Sequence, residues 1–167
     1  MVDVRKRSSK LDVQELSVLA NSQSSPKADG MRTDFQHFVE AQSDAYRRAT
    51  TELRHGQKQT HWMWFIFPQL AGLGRSDMAK KYALASLEEA RAYAAHPVLG
   101  PRLLECVDLL QDLPTANATA VFGDVDAMKL HSCLTLFTLA CPNRPIFKAA
   151  NDRWFKGELD EATMALI

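Results

Sequence analysis

From residue 34 onward, apolar residues recur at three- and four-residue steps, the spacing of helices that bury one face. The first such segment carries an inward stripe made of Phe35, Phe38, Val39, Gln42, Ala45, Tyr46, Ala49 and Leu53. Thr33 with Gln36 predicts a capping box at its start, and Gly56 provides a left-handed end. The pattern therefore predicts one long helix between these two points.

Capping residues and helix breakers divide the rest of the chain into further helices. Predicted starts lie at Ser76, Ser86, Pro101, Asp124, Pro145 and Asp160. In the segment from Asp124 to Ala140, the predicted inner positions are Met128, Cys133, Leu134 and Phe137. The sequence has no two alternating runs joined by a hairpin turn. We therefore expect an all-α fold, a compact multihelical single domain over residues 34–167.

Residues 1–33 differ from the rest because they are rich in Ser, Lys and Arg and contain no aromatic residue. Such a segment buries too little apolar surface to offset its ordering entropy, which predicts a flexible N-terminal tail or extension. A marginal helix over Leu11–Leu19 is the one regular element that it offers. Met31 stands just before the periodic region, so a second interpretation is that the natural protein starts there.

Composition narrows the class of protein but not its activity. The 167 residues suit one domain, and 46% hydrophobic with 24% charged residues is typical of a soluble globular protein. Twenty basic residues balance 20 acidic ones, so no overall field favours nucleic acid or an anionic membrane. No apolar stretch approaches the ~20 residues that span a bilayer. Three cysteines without paired spacing favour a cytoplasmic location and argue against a disulfide framework or a zinc site.

The run Trp62–Phe67 is apolar on every face, whether it is read as a helix or as a strand. Pro68 forces Phe67 towards extended geometry, so a helix must end by that point. We expect a short buried helical turn followed by an irregular crossing of the domain. The run is either a purely structural core segment or one wall of a binding site.

Polar residues at the borders of this run support the second interpretation. Indole rings stack on planar rings, Lys or Arg binds phosphate or carboxylate, and an amide reads a ring edge. The predicted ligand-binding residues are Lys58, His61, Trp62, Trp64, Gln69 and Ser76, together with Lys129 and Ser132, which share a helix face. Gly72-Leu-Gly74 offers only a weak match to a phosphate loop, because Asp77 stands at the third glycine position.

Histidine and cysteine patterns add one catalytic candidate and no metal site. His61 is a candidate general acid or base because its ordinary pKa lies near neutrality. The five histidines do not cluster at ligand spacing, and no zinc motif occurs. We therefore predict neither a metal nor another cofactor.

The segment Gly56-Gln-Lys-Gln-Thr-His-Trp-Met-Trp-Phe-Ile-Phe-Pro-Gln69 resembles the signature of the bacterial family of domains of unknown function numbered 1810. So do Gly72–Ser76, His96–Gly100 and Lys129-x-x-Ser132 with the residues that follow. The resemblance covers residues 34–167 and implies a multihelical protein of unassigned activity. Automated naming often applies calpastatin to such proteins, but that inhibitor is a disordered repeat protein, unlike the packed domain expected here. This chain departs from the family where Cys133-Leu134 follow Ser132, since Ser-Met is usual there.

The layout is also similar, more remotely, to helical domains linked to NAD and ADP-ribose metabolism, some of which hydrolyse N-glycosidic bonds. That chemistry needs a carboxylate to stabilise an oxocarbenium-like state or to activate water. Glu52 and Glu89 are the candidates, with His61. The expected function is binding, and in one version hydrolysis, of a nucleotide-like small molecule, without specific nucleic-acid or membrane partners. The alternative is a non-catalytic protein-interaction module that has no small-molecule site.

Overall fold

The structure, a computed structural model, describes residues 34–167. The helices in this range are α1 (Gln36–His55), α2 (Met63–Ile66), α3 (Asp77–Lys81), α4 (Leu87–Ala95), α5 (Leu99–Gln111), α6 (Ala118–Phe122), α7 (Asp124–Ala140), α8 (Pro145–Phe155) and α9 (Glu161–Met164). An isolated bridge between Leu70 and Leu84 is the extent of β structure in this range, so the all-α prediction is confirmed. The described residues all belong to one compact unit. The predicted N-terminal tail and the helix over Leu11–Leu19 lie outside the described residues.

Helix α7 is central to the core. It packs against α4, α6, α8 and α9. Every residue from Ser132 to Phe137 is buried, so this half of α7 has no solvent face. A helix that is apolar on all sides is stable only when it is buried inside the domain, and the remaining helices are arranged around it.

Helix α1 follows the predicted stripe, with Phe38, Ala49 and Leu53 at most 1% exposed. It packs against α2 and α5. Gln42 is also buried, and its amide donates to the Phe65 carbonyl at 2.7 Å. Gly56 ends the helix in the left-handed region with φ of 70°, as predicted.

The aromatic run forms the single turn α2 and then the irregular crossing that was expected. Trp62 and Phe67 are fully buried, whereas Trp64 is partly exposed. After Pro68 the backbone pairs with Leu84: the Leu84 N–H donates to the Gln69 carbonyl at 2.9 Å, and the Ala71 N–H donates to the Leu84 carbonyl at 2.7 Å. This pairing fixes the point at which the chain leaves the core towards α3.

Predicted caps are confirmed at Ser76, Ser86 and Asp160, whose side chains accept from backbone N–H groups at 3.0–3.1 Å. One boundary detail was wrong. Asp124 is the first residue of α7 and not its cap, because Gly123 precedes the helix with φ of 81°. At the start of α1, Thr33 lies outside the described residues, and the Asp34 carboxylate accepts from the Gln36 N–H at 2.9 Å.

One further expectation about the helices was wrong, and one helix was missed. Met128 is not an inner position of α7, because it is 70% exposed. Helix α6 was not predicted; its short length gives no periodic signal, although Asn117 caps it by accepting from the Ala120 N–H at 3.1 Å.

Candidate functional site

A cavity of about 360 Å³ opens between the 69–76 loop, α3, the first half of α7 and the start of α9. Its polar lining residues are Gln69, Arg75, Ser76, Lys129, Ser132 and Asp160. Its larger apolar lining residues are Trp64, Leu73, Val125 and Met128. Five of the eight predicted ligand-binding residues, namely Trp64, Gln69, Ser76, Lys129 and Ser132, therefore surround one cavity, although they come from separate segments.

Lys129 and Trp64 form the most specific contact at this cavity. The Lys129 ammonium lies 4.5 Å from the centroid of the Trp64 ring, which is the geometry of a cation–π interaction. The same ammonium lies 3.4 Å from the Asp126 carboxylate, one turn earlier on α7. The cation is thus held against the indole face by its own helix.

Lys58 does not line the cavity. Its side chain is only 8% exposed, and its ammonium lies 2.9 Å from the second oxygen of Asp126. It also donates to the Thr60 carbonyl at 2.6 Å and lies 5.1 Å from the Trp62 ring centroid. Asp126 therefore bridges two lysines, each of which faces one of the two tryptophans.

Trp62, in contrast to Trp64, is a core residue whose indole N–H donates to the Glu52 carboxylate. Glu52 also accepts from the Thr60 N–H at 2.9 Å and from the Thr60 hydroxyl at 2.8 Å. Burial alone raises the pKa of Glu52, but the hydrogen bonds from Trp62 and Thr60 outweigh it and lower that pKa below its ordinary value. Glu52 thus ties the aromatic run to α1 and lies outside the cavity.

The other two predicted catalytic candidates also lie away from the cavity. Glu89 is fully buried and accepts from the Ala85 N–H, while its own N–H donates to Ser86. This is a capping role at the start of α4. His61 is exposed and has no hydrogen bond or ion pair with residues 34–167.

The loop at the cavity mouth owes its glycines to backbone conformation and packing. Gly72 has φ of +102°, which side chains disfavour. A Cβ on Gly74 would lie 2.3 Å from the Cβ of Ala79 on α3, so only glycine permits this approach. Both glycines are explained without a bound phosphate.

Asp160 supplies the carboxylate of the cavity. It accepts from the Ser132 hydroxyl at 3.1 Å and from the Thr163 hydroxyl at 2.6 Å. One of its oxygens lies 3.9 Å from Nδ1 of His131. Ser132 therefore belongs to a hydrogen-bonded group that fixes the start of α9 against α7.

Several cavity groups make no polar contact with the rest of the described chain. The Gln69 amide, the Arg75 guanidinium and the Trp64 indole N–H form no hydrogen bond or ion pair with residues 34–167. Unengaged donors and acceptors that converge on a partly apolar cavity are what small-molecule sites present to a ligand.

Sequence reasoning did not single out Asp126 or assign a site role to Asp160. Asp126 stands three residues before Lys129 on one helix, a spacing that brings side chains together. The Asp126–Lys129 ion pair could therefore have been predicted from the sequence. Its pairing with Lys58 depends on tertiary structure. Asp160 carried a visible capping signal, and its place in the cavity follows from the packing of α9 on α7.

A second depression of about 530 Å³ lies on the other side of Met128 and is more open than the cavity. His131, Trp154 and Phe155 line it, and the His131 ring stacks on Phe155 at 4.2 Å. His131 also hydrogen-bonds the Glu158 carbonyl at 2.7 Å. None of the predicted ligand-binding residues lines this depression.

The three thiols are buried and free. Burial raises the pKa of Cys106 to about 12 and raises that of Cys133 well above its ordinary value. Such thiols are poor nucleophiles at neutral pH, and Cys133 packs as the core residue that was expected. Residues 34–167 contain no group of three or more metal-ligating side chains with suitable geometry. Within the same range, no helix has the length and apolar character required to cross a bilayer.

Comparison with known proteins supports the family assignment. The profile of the family described as protein of unknown function (DUF1810) matches residues 32–167. The crystal structure of the conserved hypothetical protein Rv1873 from Mycobacterium tuberculosis superposes with a TM-score of 0.79 at 44% identity, covering 81% of this chain and 96% of that one. A search of curated proteins finds no match. The chain therefore belongs to the DUF1810 family.

Proposed function

We propose that this protein binds a nucleotide-like small molecule, related to NAD or ADP-ribose, in the cavity beside Trp64. The observation that carries the proposal is the convergence of one indole ring, two cations and one free amide on a single cavity. Trp64 offers a surface for a planar ring, Lys129 and Arg75 bind an acidic group, and Gln69 reads a ring edge.

The charge distribution favours an anion as part of the ligand. Lys129 and Arg75 line the cavity with positive charge, and Asp160 is the carboxylate among its lining residues. Asp160 already accepts hydrogen bonds from Ser132 and Thr163, which offset part of its negative charge. The two cations therefore attract an acidic ligand group more strongly than Asp160 repels it.

A hydrolytic version of this function requires a carboxylate beside the scissile bond. Glu52 and Glu89 are engaged outside the cavity, so the requirement falls on Asp160. Incubation with NAD and analysis for released nicotinamide, comparing the wild type with Asp160→Asn, tests this extension separately from binding.

Binding is tested by isothermal titration calorimetry and thermal unfolding of the full chain with AMP, GMP, ADP-ribose and NAD. A ligand at 100 times its dissociation constant should stabilise the fold by about 2.7 kcal/mol. Lys129→Met should weaken binding at least tenfold, because a charged hydrogen bond contributes about 1.5–3 kcal/mol. Lys148→Met is the matched control, since it removes the same charge from an exposed position on α8.

Failure of all four compounds at millimolar concentration would refute the proposed function. Binding that is unchanged in Lys129→Met would also refute it at this cavity. Stability of the Lys129→Met variant itself, measured without ligand, separates a lost contact from a damaged fold.

The second candidate function is a protein-interaction module. It is favoured by Val125 and Met128, which are 67% and 70% exposed on the cavity rim, because exposed apolar side chains at a concave site mark interaction surfaces. In this case replacement of both by Gln would abolish partner capture, and AMP, GMP, ADP-ribose and NAD would not bind the wild type.

We also propose a cytoplasmic location. The proposal is supported by three free, buried cysteines, since proteins exported to oxidising compartments commonly pair them.

A further inference from the structure

Asp126 lies outside the cavity wall but contacts a cation that lines it. Its two carboxylate oxygens face Lys129 at 3.4 Å and Lys58 at 2.9 Å. Its side chain is 20% exposed, so water screens these contacts only in part. The charge available at the cavity therefore depends on a residue that no ligand needs to touch.

The Lys129 ammonium is already engaged on two sides. Asp126 neutralises part of its charge, and the Trp64 ring covers another side at 4.5 Å. An anion that binds Lys129 must compete with Asp126. A planar ring that stacks on this face of Trp64 must first displace the ammonium.

We infer that Asp126 determines specificity by competing with the acidic group of the ligand for Lys129. This inference rests on the function proposed above and narrows the ligand class. An anion without a ring pairs with Lys129 but does not replace the contact between Lys129 and the Trp64 indole. A neutral ring cannot pair with Lys129 and so does not displace its ammonium from Trp64. A molecule that carries both groups replaces both contacts at once, as a nucleoside monophosphate does. Specificity of this kind is a difference between affinities.

Lys58 opposes Asp126 in this arrangement. It shares the same carboxylate and is nearly buried, so it draws Asp126 away from Lys129. When the Lys58 charge is removed, Asp126 pairs with Lys129 only. Asp126 should then compete more strongly with the acidic group of the ligand. The other charged groups at the cavity, Arg75 on the loop and Asp160 before α9, are unchanged by substitutions at either position.

The two substitutions therefore shift affinity in opposite directions, although neither residue lines the cavity. In calorimetric titration of the full chain with AMP, Asp126→Asn should tighten binding about tenfold, which corresponds to about 1.4 kcal/mol. Lys58→Met should weaken binding about threefold or more, through the stronger Asp126–Lys129 pair. Adenosine and inorganic phosphate, titrated separately, should each bind far more weakly than AMP.

Matched controls separate this effect from net charge. Asp124→Asn removes a carboxylate from an exposed position at the start of α7, and Lys148→Met removes a cation from α8. Both should leave the dissociation constant for AMP within twofold of the wild type. Raising the salt concentration should reduce the Asp126→Asn gain, because the competition is electrostatic.

Loss of a buried charge partner can destabilise a protein, so a double variant is included. Lys58→Met with Asp126→Asn removes both charges together and should bind AMP as tightly as Asp126→Asn alone. Weaker binding in every variant would show structural damage and overturn the inference. Binding abolished by Lys129→Met but unaffected by Asp126→Asn would also overturn it and leave the proposed function intact. Absence of AMP and ADP-ribose binding in the wild type would overturn both.

Discussion

Three hydrogen bonds to the Glu52 carboxylate come from one short segment of the chain. Thr60 contributes two of them and Trp62 the third. The carboxylate therefore holds the start of the aromatic run against α1. Its lowered pKa records how strongly these donors favour the charged form.

Glu52→Gln should destabilise the fold by about 1–3 kcal/mol, because the amide cannot accept from all three donors without a mismatch. The folded-state pKa of Glu52 lies below the ordinary value of 4.5. Its contribution to stability is therefore complete above that value and is lost as the pH falls through the folded pKa. Urea unfolding at pH 7, 5, 4 and 3 measures this.

The difference in unfolding free energy between wild type and variant should shrink as the pH falls below 4.5. A difference that stays constant over this pH range would contradict the assigned role. Glu88→Gln, at an exposed position on α4, is the control for a change of one negative charge.

Trp62 and Trp64 show what sequence alone could and could not predict for single residues. Both were expected to line a site, because they border the same polar groups. Trp62 immediately precedes α2 and Trp64 lies within it. Positions two residues apart in a helical turn point about 200° from each other, so Trp62 enters the core while Trp64 lines the cavity. The sequence did not decide which of the two would face the core, since the run is apolar on every side.

Helix α7 changes character along its length. Its first turns expose Val125 and Met128, whereas residues 132–137 are all buried. The wrong placement of Met128 came from extending one inward stripe over the whole helix. Lys129 and Ser132 were correctly assigned to one face, because their three-residue spacing holds wherever the helix is regular.

The contact between Gly74 and α3 gives a test of the cavity mouth. Gly74→Ala should destabilise the fold by about 1–3 kcal/mol, since the added Cβ would overlap Ala79. Ala79→Gly alone should lose about 1 kcal/mol through lower helix propensity. In the double variant the overlap is absent, so the two losses should not add. Denaturant unfolding of all four proteins gives the coupling free energy.

Strict additivity in this cycle would mean that the loop relaxes away from α3 and that the glycine is not needed for packing. Gly123→Ala is a useful comparison, because its φ is positive while no atom lies within 4 Å of an added Cβ. A loss of stability in Gly123→Ala therefore measures backbone strain alone, whereas the loss in Gly74→Ala measures steric overlap.

At the level of the complete fold, the periodic pattern was sufficient to predict helices and a single core, because periodicity reports which faces are buried. The cavity was predicted only in part. Residues from positions 64–76 and 129–132 were named together on their chemistry, but the contact between these segments and Asp160 arises from the packing of α7 with α9. Local patterns carry no record of such distant pairings.

Helix α7 also makes a prediction about the stability of the domain as a whole. The helix contacts four other helices and its residues 132–137 are all buried, so it cannot open without disrupting most of the core. Amide protons from Leu130 to Phe137 should therefore exchange with solvent only through global unfolding. Hydrogen exchange measured with increasing denaturant tests this, and exchange of these amides at a rate independent of denaturant would contradict it.

Lys129 and Ser132 belong to α7, the helix at the centre of the core. The wall of the cavity formed by α7 is therefore constrained by folding, whereas the wall formed by the loop at Arg75 is not. Changes on α7 alter recognition and folding together, whereas Arg75 is exposed on a loop and can be exchanged with little effect on the core. Directed evolution of new ligand preferences should therefore accumulate substitutions at Arg75 first and reach α7 only after compensating changes elsewhere.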